Sequence, residues 1–478
     1  MPSHSFISGV VEGFYGRTWT REQRHALFQG LSNWGLNTYC YGPKDDLKHR
    51  ALWRSCYDKS ETTELKDLVD RCSDLDLNFI YSLGPGLDIQ YGKPDDLDII
   101  KCRFGQLVDL GVRNFALLFD DIPAVMHPDD QSQFSSFAEG QSFVANEIYQ
   151  WLGTDNPDIG FLFCPTPYCG RMDQAGLGGP GYLEEIGERL HPAIRIFWTG
   201  PEIISQTISE EHLSELSVRL KRPAILWDNL HANDYDMQRV FTGPYCGRPA
   251  EPGKYLSGIL INPNCEFEAN FVPIRTLSFY LGESELMGGH AARWGQHALP
   301  SPDIEESELR AEDEARDPRA HYMKAVREWF GLFLGVGDEW TLDDVVFLAD
   351  LFYLPFELGE SACEFLEDAS ILVHQSCDDW GDRENRFRKR VKQIEAISVK
   401  LTELKNRDLF YAFNRQWWDL REETELLLKY LDWKKNPESG DIFSSSEHHA
   451  GTFRGGTLNL LQNLLKMTDQ GTFETGDE

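Results

Sequence analysis

The sequence predicts an α/β chain, with a (β/α)8 barrel of TIM type followed by an all-α helical bundle. Three observations predict it. Short, nearly continuous apolar runs recur eight times between residue 6 and about residue 280. Amphipathic stretches of helical period fill most of the gaps between them, and beyond residue 322 the periodicity is helical throughout.

The runs are, in order, ISGVVEG (7–13), NTYCYGP (37–43), NFIYSLGPG (78–86), FALLFDD (115–121), IGFLFCP (159–165), IRIFWTG (194–200), AILWDN (224–229) and GILINPN (258–264). Each ends in Gly, Pro, Asp or Asn, residues that stop regular structure. REQRHALFQGLSNWG (21–35), SSFAEGQSFVANEIYQWLG (135–153) and SEEHLSELSVRLKR (209–222) are the clearest helices between runs. The seventh link, HANDYDMQRVFTGPYCGRP, is loop-rich and carries only a weak helical signal. Apolar strands alternating with helices indicate a parallel sheet covered on both faces, and eight such units match a closed barrel. A doubly wound open sheet is the alternative. Its dinucleotide-binding form has little support, because no GxGxxG follows the first strand.

Residues 1–290 are therefore assigned to the barrel. Residues 291–321 are read as an acidic linker or insertion, since SPDIEESELRAEDEARDPRAH (301–321) is poor in apolar residues. Residues 322–478 are read as the helical domain, with TLDDVVFLADLFYLPFELG, NRFRKRVKQIEAISVKLTEL and YAFNRQWWDLREETELLLKYLDW as its strongest helical segments. Trp417 and Trp418 there are expected in helical core or an interface. The last dozen residues, MTDQGTFETGDE, are expected to fray.

Composition narrows the function. The chain has 478 residues, ample for a large core, and no apolar run approaches the roughly 18–20 residues of a membrane span. A net charge of −32 with no dense Lys/Arg block points away from nucleic acid and other polyanions. The start, MPSHSFISGVVEGFYG, lacks the basic and apolar regions of a signal peptide. The ten cysteines form no CxxC pair and are read as reduced core thiols. A cytosolic or nuclear setting is the expectation.

In a barrel of this kind the active site is built at the C-terminal ends of the strands. Those ends carry Gly13, Lys44, the Asp120–Asp121 pair, Tyr168, Trp227 with Asn229, and Asn262. Loops need no such gathering of Lys, Tyr, Trp and paired Asp. Two adjacent carboxylates cannot both ionise cheaply, so one should hold its proton and one should lose it. That split supplies an acid and an anion together, as cleavage of a glycosidic bond requires. Consecutive strand residues point to opposite faces, so both reach one pocket only if the backbone leaves β geometry there, which Pro123 favours. A helix cap or a hydrated loop is the competing reading, and a second pair at 45–46 shows that such pairs recur in this chain. A metal site built on Asp120 and Asp121 is a further alternative, weakened because no His sits at ligand spacing beside the pair. WDNLHANDYD (227–236) adds Trp227 as an apolar wall for a sugar face or methyl group, and Asn229 and Asp234 as hydroxyl-binding or orienting groups. His231, His25, His49 and His191 are read as ordinary solvated or core histidines.

Taken together, VEGFYGRTWTREQR, YGPKDDLKHR, FALLFDDI, FLFCPTPYCG, ILWDNLHANDYD and INPNCEFEAN closely resemble the animal-type O-GlcNAcases of glycoside hydrolase family 84. The resemblance covers most of residues 6–282 and resumes around TLDDVVFLADLFYLPFE and FRGG. It implies a barrel followed by a helical stalk that often dimerises, and removal of N-acetylglucosamine from Ser and Thr of intracellular proteins without metal or cofactor. It also implies substrate-assisted, retaining chemistry, in which the sugar's own 2-acetamido oxygen attacks the anomeric carbon and forms an oxazoline. Asp120 would then orient the acetamide through its N–H, and Asp121 would act first as general acid and then as base. Tyr168 would hydrogen-bond near the acetamide, and Trp227 would wall its methyl. Gly13, Lys44, Asn229, Asp234 and Asn262 match positions that hold the sugar hydroxyls or support the pair. The segment RMDQAGLGGPG after Tyr168 departs from the animal pattern, the acidic linker is short, and no acetyltransferase-like region follows the helices. Another N-acetylhexosaminidase, a hyaluronidase, or an inactive glycan-binding barrel are the rival readings.

Overall fold

The apolar runs become strands buried on both faces. In the computed structural model they are β1 (Ile7–Glu12), β2 (Thr38–Tyr41), β3 (Asn78–Leu83), β4 (Asn114–Leu118), β5 (Gly160–Cys164), β6 (Arg195–Trp198), β7 (Ala224–Asp228) and β8 (Leu256–Ile261). Each pairs in parallel with the next, and β1 pairs with β8, so the sheet is a closed barrel and the open-sheet alternative falls away. The structure describes residues 6–123, 125–236, 239–282, 293–294, 297–298, 317–333, 340–374, 379–435 and 455–465.

Side-chain alternation divides each strand between interior and helix layer. Ile7, Val11, Cys40, Ile80, Ala116, Leu118, Leu162, Cys164, Phe197, Ile225, Trp227 and Leu260 form one buried cluster that fills the barrel. The opposite parity meets the helices. Tyr39 stands edge-on to Phe28 with ring centroids 4.8 Å apart, and Phe115 packs 4.7 Å from Phe104. Each such side chain, fully removed from water, contributes about 1.5–3 kcal/mol.

The predicted helices form at Arg21–Asn33, Phe137–Gly153 and Glu210–Leu220. Their starts follow from the sequence. Thr20 and Gln23 close a capping box at the first, and Ser209 caps the third through the His212 N–H. Between β7 and β8 the described residues hold no α-helix, only the one-turn 3-10 helix Pro252–Lys254, in keeping with the weak signal there.

The helical part comprises Pro318–Phe330, Leu342–Leu351, Glu360–His374, Trp380–Glu403, Arg407–Lys435 and Gly456–Gln462. The first of these starts inside the segment read as linker. Asp317 caps it by accepting from the backbone of Arg319 and Ala320, and Pro318 supplies the preset φ of a first turn. Residues 301–316 of that segment, and the final dozen residues, lie outside the described residues. Contacts divide the chain into two compact units, and residues 235–244 and 266–276 group with the helical one. Within that unit Arg275 pairs with Glu328 at 2.6 Å, and the Thr242 N–H donates to the Phe352 carbonyl. Trp417 is buried in this unit's core while Trp418 is half exposed.

The cysteines split. Cys40, Cys72, Cys164 and Cys169 are buried thiols as expected, but Cys56, Cys102 and Cys363 are exposed. Cys102 and Cys363 sit on outward-facing positions of the helices Pro94–Asp109 and Glu360–His374, and Cys56 in the loop after β2, positions about which the absence of CxxC spacing says nothing.

Candidate functional site

Asp120 continues the inward parity of Ala116 and Leu118, two positions beyond the end of β4. Asp121 would face the helix layer if the strand went on. It does not, because Asp121 has φ +48°, in the left-handed region that few non-glycine residues occupy. That single reversal turns the second carboxyl back toward the first. Its Oδ1 accepts a hydrogen bond from the Tyr168 hydroxyl at 2.9 Å.

The reversed turn is held from below. Arg50 donates from one guanidinium nitrogen to the carbonyls of both Asp120 (3.0 Å) and Asp121 (2.8 Å). These are the carbonyls that a continuing strand would have paired, and the arginine satisfies them instead. Asp120 Oδ2 lies 3.5 Å from both Lys44 Nζ and Arg50 Nη1. Its Oδ1 is buried and has no hydrogen-bond partner among the described residues.

The electrostatics separate the two carboxyls. Burial alone would raise Asp120, but the positive charges of Lys44 and Arg50 outweigh it and hold this carboxyl below the usual carboxylate range. Burial also raises Asp121, and the adjacent negative Asp120 raises it further, against a smaller opposing effect of the Tyr168 hydrogen bond. The surroundings therefore push the two carboxyls in opposite directions, Asp120 toward the anion and Asp121 toward the acid. The pair at 45–46 is different in kind. Asp46 caps the Leu47–His49 turn and accepts from the hydroxyls of Tyr41 and Tyr57, a structural task.

The remaining predicted residues line the same end of the barrel. Trp227 ends the interior of β7 and stands edge-on to Phe197 at 5.4 Å. Its indole lies so close to Gly13 that a Cβ there would come within 2.3 Å of the ring, which explains the glycine. Asn262 donates from Nδ2 to Asn229 Oδ1 at 3.0 Å, and Asn229 donates in turn to the Ile203 carbonyl at 2.9 Å. This relay fixes both amides and leaves the buried Asn262 Oδ1 without a hydrogen-bond partner among the described residues. Asp234 accepts the Tyr15 N–H at 2.9 Å and so ties the loop after β7 to the loop after β1. Lys44 sits 5.5 Å from the centre of the Tyr15 ring.

Arg50 and the Asp228–Arg248 pair escaped the sequence reading, while His49 is the core histidine expected. Arg50 acts on backbone carbonyls, which no spacing rule exposes, although it ends the quoted stretch YGPKDDLKHR. His49 is fully buried with Nδ1–H donating to the Ser82 carbonyl at 2.8 Å, and burial together with the Lys44 charge lowers it to about 3. Neutral imidazole is thus packed beneath the acidic pair. Asp228, facing outward at the end of β7, forms a fully buried pair with Arg248 at 2.5 Å and accepts from the Tyr245 hydroxyl at 2.8 Å. Arg248 also donates to the carbonyls of Ser205, Gln206 and Cys246, which anchors the irregular link between β7 and β8. Among the described residues no group of three or more His, Cys, Asp or Glu side chains is placed to hold a metal ion.

Comparisons with known proteins place the family and the fold. Residues 8–297 match the family described as beta-N-acetylglucosaminidase. The Protein O-GlcNAcases of Rattus norvegicus and Mus musculus are each 49% identical to this chain over 273 residues, which is 57% of this chain and 30% of theirs. Among solved structures, a mutant O-GlcNAc hydrolase of Thermobaculum terrenum shares the fold with a TM-score of 0.74 at 23% identity, covering 92% of this chain and 86% of that one. With an eight-stranded barrel whose inward strand ends gather a split carboxyl pair, and with a family match over most of that barrel, this chain belongs to the beta-N-acetylglucosaminidase family of glycoside hydrolases.

Proposed function

We propose that the protein is a retaining β-N-acetylglucosaminidase that removes O-linked N-acetylglucosamine from Ser and Thr of intracellular proteins. The observation that carries this reading is the unlike setting of two adjacent carboxyls, Asp120 beside Lys44 and Arg50, and Asp121 beside Asp120 and turned to accept from Tyr168. On balance these surroundings favour the anion at the first and the acid at the second. An enzyme that uses a carboxylate nucleophile needs its two carboxyls on opposite sides of the scissile bond, about 5 Å apart. Neighbours in sequence, turned to one side by a φ of +48° at the second, suit a reaction in which the substrate brings its own nucleophile.

In that reaction Asp120, anionic and with a buried Oδ1 open to a donor, accepts the acetamide N–H and aligns the acetamide oxygen on the anomeric carbon. Asp121, protonated, gives its proton to the departing Ser or Thr oxygen as the oxazoline forms, then takes a proton from the water that opens it. Tyr168 holds Asp121 in place and borders the acetamide site. Trp227 walls the acetamide methyl, while Lys44, Asn229, Asp234 and Asn262 bind sugar hydroxyls or hold the pair. Pairing of two chains through the helical part and a cytosolic or nuclear setting belong to the same proposal, supported by the resemblance to protein O-GlcNAcases.

The test is Asp121→Asn assayed on two substrate types. Loss of the acid should abolish turnover of alkyl and peptide glycosides and spare aryl glycosides with good leaving groups. Equal loss on both would show that Asp121 is not the acid.

A further inference from the structure

Two exposed thiols meet on the flank of the barrel. Cys56 ends the loop that leaves β2, and Cys102 lies on the helix Pro94–Asp109, 46 residues away in sequence. Their sulfurs are 3.6 Å apart, and both residues are open to solvent. Neither belongs to the candidate site.

The contact is not incidental, because several bonds fix the two segments on each other. The Tyr57 N–H donates to Gln106 Oε1 at 3.0 Å, and Gln106 Nε2 returns a bond to the Tyr57 carbonyl at 2.7 Å. Arg103, next to Cys102, donates to the Ser55 and Lys48 carbonyls. Arg54 bridges to Asp96 on the same helix at 2.9 Å. Joining the sulfurs at the ~2.05 Å of a disulfide needs a closure of about 1.5 Å. The same loop carries Lys44 and Arg50, the two cations against Asp120.

We infer that Cys56 and Cys102 form a reversible thiol–disulfide site that, when oxidised by a small-molecule disulfide such as glutathione disulfide, staples the loop bearing Lys44 and Arg50 to the neighbouring helix. The chemistry balances. The thiolate of one cysteine attacks a sulfur of glutathione disulfide, forming a mixed disulfide and releasing one glutathione thiolate. The second cysteine gives its proton to solvent and displaces the other glutathione, so two protein thiols are oxidised as one glutathione disulfide is reduced to two thiols. In a reducing compartment such a bond is transient, as redox-sensing pairs are.

The experiment treats the full chain, Cys56→Ser and Cys102→Ser with glutathione disulfide, alkylates the remaining thiols and maps them by peptide mass spectrometry. Wild type should yield a Cys56–Cys102 cross-linked peptide pair, lighter by two hydrogens and reopened by dithiothreitol. Each variant should instead retain glutathione on its remaining cysteine. Hydrogen exchange over residues 44–57 should slow in the cross-linked wild type. Glutathione carried on both cysteines of wild type without a cross-link, or full alkylation of both at every glutathione ratio, overturns the inference. A cross-link that leaves exchange over 44–57 unchanged overturns the stapling.

Discussion

Lys44→Met is the substitution that most sharply tests how the acidic pair is tuned. The Lys44 ammonium is almost fully buried and 3.5 Å from Asp120 Oδ2, with Arg50 as the second cation at the same distance. At an effective dielectric of ~20, two unit charges at that separation interact by about 5 kcal/mol. Relaxation, and the Arg50 that remains, keep the realised loss below this figure. Since one pH unit corresponds to about 1.4 kcal/mol, the acidic limb of kcat/KM should move up by about one pH unit or more. The sign is fixed by chemistry. The proposed reaction needs Asp120 ionised and Asp121 protonated, and removing a positive charge lets both hold their protons to higher pH. Both limbs therefore move to higher pH, the acidic limb further, because Lys44 ranks next after burial for Asp120 but behind three larger influences for Asp121. The assay is the pH dependence of kcat/KM for an aryl β-N-acetylglucosaminide, which reports the free enzyme's groups. A uniform drop in activity with both limbs unmoved would refute the reasoning and recast Lys44 as a substrate-binding group alone.

Three further outcomes are expected. Asp121→Asn should raise the melting temperature at pH 8 and give little gain near pH 4. Asp121 has a folded pKa above its unfolded value, so its ionisation destabilises the fold as pH rises through that window, and the amide removes this cost. Calorimetry at the two pH values checks it. Gly13→Ala should push the Trp227 indole out of position, since the new Cβ would sit 2.3 Å from it, and overpacking of this kind costs about 1–3 kcal/mol; KM for the aryl glycoside should rise, and Trp fluorescence should report the displaced ring. Arg248→Met should destabilise the barrel by about 3–5 kcal/mol, because it strands a fully buried Asp228 charge. Adding Asp228→Leu should recover much of that loss in thermal melts.

What the sequence revealed and what it hid follow one physical line. Strands such as FALLF and IGFLFC are legible because a parallel barrel strand is buried on both faces, so its apolar run is nearly unbroken and short. Helices with capping boxes are legible because the cap and the 3.6-residue period lie close together in sequence. Inward parity at the strand ends carries the reading on to Trp227 within β7 and to Asp120 and Asn262 just beyond β4 and β8. That the backbone leaves β geometry at the pair was legible from the pair itself and Pro123; which residue reverses, and what holds it, was not. A positive φ at a non-glycine residue is imposed by tertiary contacts, here the grip of Arg50 on two carbonyls, and Pro123 only hints at it. The buried Asp228–Arg248 pair was hidden for the same reason, since its partners lie 20 residues apart across an irregular link. At Pro318 the acidic composition upstream masked a helix start that the Asp-Pro pair itself signals.

In the proposed reaction the sugar's acetamide, positioned by Asp120 and aided by Asp121, is the nucleophile. The most direct measurement is hydrolysis of an aryl β-N-acetylglucosaminide at neutral pH, with and without a thiazoline-fused sugar that mimics the oxazoline. The account predicts turnover that the mimic blocks competitively, and loss of that inhibition in Asp120→Asn. Turnover indifferent to the mimic, or an aryl β-glucoside lacking the acetamide cleaved as readily, would contradict it.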